Sequence, residues 1–144
     1  MNNASENNLQ LAVPFFMVKN IEISLAFYTK GLGFTIINTW TPNGKIEWCL
    51  LQRESVAFML QQPRKEDYFT EKNKPGAGVS ICIQCKDSLT LYTEFKQKNI
   101  LMPEPFVGNN MWVVSVADPD GYRIDFESST DVPEETKYSE VFKN

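Results

Sequence analysis

Three charged side chains alternate near the C-terminal end: Arg123, Asp125 and Glu127, separated by Ile124 and Phe126. On a strand this spacing places all three on one face. Asp125 or Glu127 could serve there as a general base. The competing reading of the same spacing is a solvated strand face closed by an internal ion pair. Cys82 and Cys85 form a Cys-x-x-Cys pair, a spacing that invites a zinc or redox role. They sit, however, in an apolar run, Val79 to Cys85, that reads as a strand. Side chains three apart on a strand point to opposite faces, so two small core residues are expected instead. The chain has no histidine. That excludes Ser-His-Asp and Cys-His catalysis, histidine bases and histidine-ligated metals. Any chemistry runs on carboxylates, Tyr, Cys, Lys or Arg.

The chain has 144 residues, 42% hydrophobic, enough to close one structural domain without disulfides. Its net charge of -4 disfavours a nucleic-acid partner and suits a cationic guest. Three cysteines do not make a disulfide framework, and a reducing cytoplasm is the expected location. Met1 to Gln10 lacks the basic start and apolar run of a signal peptide, and no stretch is long enough for a membrane span.

The elements that must position these groups follow from patterning. After a polar segment, residues 1–10, comes an apolar strand, Leu11 to Val18. Asn20 is placed to cap a helix carrying Ile21, Leu25, Tyr28 and Leu32, ended by Gly31 and Gly33. Phe34 to Trp40, Ile46 to Leu51 and Val56 to Gln61 read as strands, separated by turns at Pro42-Asn43-Gly44 and Arg53-Glu54-Ser55. Residues 63–76 are polar and charged and read as a linker. The order then restarts: a strand from Val79 to Cys85, a helix capped by Asp87, a short edge strand after Phe106, and strands at Met111 to Val116 and Tyr122 to Glu127. An offset of 67 carries Asn20 onto Asp87, Leu25 onto Tyr92 and Tyr28 onto Phe95. The fold class is therefore α+β, two βαβββ modules at 11–62 and 77–128. The tail, 129–144, offers a short helix from Pro133 with Tyr138, Val141 and Phe142 on one face.

Val18-Lys19-Asn20, Ser24-Leu25-Ala26-Phe27-Tyr28 and Leu32-Gly33-Phe34 resemble the opening of the vicinal oxygen chelate superfamily, the glyoxalase, bleomycin resistance and extradiol dioxygenase proteins. Val116-Ala117-Asp118-Pro119-Asp120-Gly121-Tyr122 resembles the turn before that family's last strand. The resemblance spans residues 11–128. It implies curved sheets forming a cup, helices outside, and a homodimer. It also implies a divalent metal held by four side chains from the first and last strands of each module. Carried over one at a time, those positions are Val13, Met59, Ser80 and Asp125.

Of the four, Asp125 alone is a strong ligand, Ser80 a weak one, and Val13 and Met59 offer nothing to a hard cation. No metal and no other cofactor is therefore expected. Strand parity adds Phe15 and Met17, Ala57 and Gln61, Cys82 and Gln84, and Arg123 and Glu127 to the cup lining. The ligand-binding set is Val13, Phe15, Met59, Ser80, Arg123 and Asp125, apolar in one half and polar in the other. Trp40, Trp48 and Trp112 are expected as packing residues in the core or at a dimer seam. The function expected is a bleomycin-resistance-like, metal-free dimer that binds a small drug or metabolite. The alternative is an enzyme of the same superfamily, a lyase, isomerase or dioxygenase, acting on a carbonyl or aromatic compound through Asp125, Glu127 or unorthodox metal ligands.

Overall fold

The computed structural model describes residues 7–72 and 74–143; residues 1–6 of the polar N-terminal segment, Asn73 of the linker and Asn144 of the tail lie outside them. The first module runs β1 (Phe15–Met17), α1 (Ile21–Ala26), β2 (Thr35–Trp40), β3 (Trp48–Arg53) and β4 (Val56–Gln61). The second runs β5 (Ser80–Gln84), α2 (Ser88–Gln97), β6 (Phe106–Gly108), β7 (Met111–Ala117) and β8 (Arg123–Ser129), followed by α3 (Tyr138–Val141). Each module is a four-stranded sheet, ordered β1-β4-β3-β2 and β5-β8-β7-β6. Both outer pairs, β1 with β4 and β5 with β8, are parallel. The two sheets are separate and neither is closed.

Helix starts fall where the sequence puts them. Asn20 accepts the amide of Ile23, and Asp87 accepts the amide of Thr90. α1 then widens into one π turn, Phe27–Gly31, closed by Leu32 N–H donating to the Phe27 carbonyl. Tyr28 and Leu32 are both completely buried.

Two expectations shift. β1 is shorter than Leu11 to Val18, because Pro14 has no N–H to donate and Leu11 stays 73% exposed. α3 begins at Tyr138 and not at Pro133, because Glu135 takes a positive φ of 66° that ends any helix begun there. The tail is nonetheless part of the fold. Its backbone pairs with Val107 and Pro105 along the free edge of β6, and Tyr138 packs on Tyr92 and Trp112.

One buried cluster unites the modules. It holds Phe16, Phe58 and Leu60 from the first sheet, Val116, Ile124 and Phe126 from the second, and Leu25, Tyr28, Tyr92 and Phe95 from the helices. Polar links cross the same junction. Arg53 holds Glu94 through two hydrogen bonds of 2.7 and 2.9 Å and donates also to the Leu32 carbonyl. Tyr28 Oη donates to Asp118 at 3.0 Å, and Tyr122 Oη to the Met17 carbonyl at 2.7 Å. The helix-bearing faces are thus turned into the shared core, and the opposite face of each sheet is left open.

Candidate functional site

Strand register identifies the residues on the two open faces. Phe15 lies opposite Met59, Met59 opposite Leu50, Gln61 opposite Trp48, and Trp48 opposite Trp40. The open face of the first sheet therefore carries an apolar and aromatic patch, with Asn38, Gln52 and Gln61 beside it and with Phe15 43% and Trp40 49% exposed. Val13, just ahead of β1, is half-buried. On the second sheet Ser80 lies opposite Arg123, and Cys82 opposite Asp125, which in turn faces Ser115. That face is polar. Phe15 and Cys82 are equivalent at the offset of 67, so their partners Met59 and Asp125 are equivalent positions of the two last strands.

Asp125 does not offer a free charge. Its carboxylate accepts Arg123 Nε at 3.0 Å and Ser115 Oγ at 2.5 Å. The Asp125 side chain is 7% exposed and that of Arg123 is 54% exposed, so the guanidinium covers the carboxylate. This is the internal ion pair that the alternating charges allowed. Glu127 accepts the Gln84 amide at 2.7 Å. Cys82 is exposed and not the core residue expected, because its side chain lies on the open face of β5; its thiol is pushed up from its usual pKa by partial desolvation and then by the negative charge of Glu127. Cys85, half-buried on the other face, is also pushed up by burial. The pair makes no disulfide, as strand parity requires.

The candidate residues divide between the sheets: Val13, Phe15 and Met59 belong to the first, Ser80, Arg123 and Asp125 to the second. A cavity of about 310 Å³ at the seam brings Phe15 and Arg123 together. Its other walls are Lys74, Gly76 and Val79 from the connecting segment, with Ile81 and Tyr122. Pattern reading placed residues 63–76 in a linker and so missed Lys74. Near Lys74 the segment is tied down by the positive φ of Gly76, 75°, and its seat against Tyr122, and earlier by the Arg64–Glu47 ion pair and Lys19 over the Phe69 ring. A larger cavity, about 540 Å³, opens between the β3–β4 turn and the start of α2, where Arg53 is already bound to Glu94. Of the tryptophans, Trp112 is buried and Trp48 half-buried.

The donor set does not fit the family's divalent metal. Val13, Met59 and Ser80 supply no strong ligand, and Asp125 is held by a guanidinium. Cys82, Asp125 and Glu127 do bring three ligand atoms within 4.8 Å of one another, but two of the three already have hydrogen-bond partners.

The fold is shared with solved structures. UcmS2 superposes with a TM-score of 0.69 at 18% identity, covering 85% of this chain and 100% of that one. A bleomycin-binding protein complexed with bleomycin gives 0.64 at 18% identity, covering 83% and 98%. TnmS3, an antibiotic binding protein from Streptomyces sp. CB03234, gives 0.63 at 15% identity, covering 83% and 97%. A sequence search of curated proteins returns no significant match. The family model described as Glyoxalase/Bleomycin resistance protein/Dioxygenase superfamily matches residues 10–126, and with the paired βαβββ sheets this makes the chain a member of that superfamily.

Proposed function

We propose that this chain is a small-molecule-binding protein that works as a cytoplasmic homodimer without a metal of its own, sequestering a drug or metabolite. The observation that carries the reading is the unpartnered open face of the first sheet. Phe15, Met17, Trp40, Trp48, Leu50 and Met59 share it, and among the described residues no helix or strand packs on it, the Arg64 guanidinium over Trp40 lying at its edge. Aromatic and thioether side chains on a rigid sheet bind flat apolar groups and adapt to their outline. A monomer gains nothing from leaving such a face in water. Two fold neighbours, named for binding bleomycin and an antibiotic, lend the reading support.

The catalytic alternative draws on one observation, the Cys82–Asp125–Glu127 trio. The two readings separate cleanly in the laboratory. Protein purified without chelators is analysed for zinc, nickel, iron and manganese, and screened by thermal shift against planar natural products and metabolites. The binding reading expects well under one equivalent of metal and at least one stabilising compound whose affinity falls when Met59→Glu charges the open face. One equivalent of a metal lost in Asp125→Asn would overturn it in favour of the enzyme.

A further inference from the structure

We infer that the seam cavity is an anion subsite, and that it selects ligands carrying an aromatic carboxylate. The inference rests on the ligand-binding reading above and adds the charge class of the ligand. Its walls are Phe15, Val79, Ile81 and Tyr122, and its charged groups are Lys74 and Arg123. Among the described residues no acidic side chain lines it. Asp125, which by sequence alone would favour a cation, lies beneath Arg123 and is already neutralised by it. Arg123 uses Nε on Asp125 and Nη2 on Ser115, leaving Nη1 without a partner among the described residues. Lys74 is exposed and makes no ion pair among the described residues. The net positive charge of Lys74 and the free Nη1 donor of the Arg123–Asp125 pair thus flank an apolar slot on a chain whose net charge is -4. About 310 Å³ accommodates one or two fused rings. A ring seated against Phe15 and Tyr122 would present a carboxylate to Arg123 Nη1 and Lys74 Nζ, where charge-assisted hydrogen bonds are strongest.

The test uses the full chain and three probes of one shape: 2-naphthoate, 2-naphthylmethylammonium and 2-naphthylmethanol. Binding is measured by calorimetry at low salt and located by amide chemical shifts. Naphthoate should bind at least several-fold more tightly than the other two, weaken with added salt, and shift the amides of Ala77, Val79, Ile81 and Arg123. Lys74→Gln keeps the Arg123–Asp125 pair intact and should weaken naphthoate about threefold, within the range for partly exposed charge pairs, and Lys74→Glu, which adds repulsion to the lost attraction, about tenfold. The neutral alcohol should be insensitive to both. A tighter ammonium, or a naphthoate affinity unmoved by Lys74→Glu, overturns the charge assignment. Naphthoate that shifts Trp48 and Leu50 amides but none at the seam overturns the subsite and leaves the binding reading standing. Failure of every probe and of the library together overturns both.

Discussion

At the scale of single residues, Asp118 connects the chemistry of the turn to the joining of the modules. Its carboxylate accepts the amides of Asp120 and Tyr122, both at 2.9 Å, and the hydroxyl of Tyr28, 3.0 Å away on the first module. Burial pushes its pKa up, and the three hydrogen bonds only partly oppose that. Tyr28 is held protonated by the same burial and by the charge of Asp118. The sign of the pH effect follows. A carboxyl whose folded pKa lies above its unfolded value of about 4 contributes stability that is present below that value and lost as the pH rises through the folded pKa. Asp118→Asn keeps an oxygen for both amides and can donate its NH2 to the Tyr28 oxygen. The unfolding free energy of the variant relative to wild type should therefore be flat below about pH 4 and rise toward neutrality. Urea titrations across pH 3 to 7.5 check this; a difference independent of pH would show that Asp118 titrates normally. The turn sequence announces Asp118 as a turn former. Its partner lies 90 positions away, and no local pattern reaches that far.

At the scale of elements, the connecting segment is the part least like its sequence. Gly76 has a φ of 75°, and a Cβ placed there would lie 3.0 Å from Tyr122 Cδ1 and 3.2 Å from Tyr122 Cα. Backbone cannot yield as a side-chain tip can, so Gly76→Ala meets both a steric and a conformational penalty, together about 2 kcal/mol. Gly44 also has a positive φ, 75°, but nothing within 4 Å, so Gly44→Ala isolates the conformational part, about 1 kcal/mol. Chemical denaturation of the two variants should give them in that order, and equal losses would mean that residues 74–79 can shift off β8. The contrast marks what was legible. Asn20 and Asp87 as caps, the 67-residue repeat and the strand faces all come from local chemistry and periodicity, and all are present in the fold. The carry-over to Val13, Met59, Ser80 and Asp125 gave residue types, not surroundings. It could not show Arg123 folded over Asp125, because alternating charges fit an exposed row as well as an ion pair. Nor could it show Lys74 beside Phe15, since a polar stretch between modules carries no periodicity to place it.

At the scale of the whole molecule, apolar surface is unevenly covered. Ile36, Ile37 and Trp40 on the free edge strand β2, and Phe15 on the open face, are each at least 41% exposed. The edge of β6 is covered by the tail, whereas among the described residues no strand pairs with the free edge of β2. An uncovered apolar edge invites a second chain, and identical chains related by a twofold axis offer each other the same patch. We therefore expect a light-scattering mass near twice 16.5 kDa at micromolar concentration, with a thermal midpoint that rises with concentration. Trp40→Glu puts a charge where the partner should sit but removes no core contact, since Trp40 is half exposed in the isolated chain. It should lower the mass to one chain, leave the far-ultraviolet circular dichroism unchanged and abolish the concentration dependence. A wild-type monomer at tens of micromolar would mean that the open faces bind their ligand without a partner, and would shift the search for the pocket wholly to the seam between the two sheets.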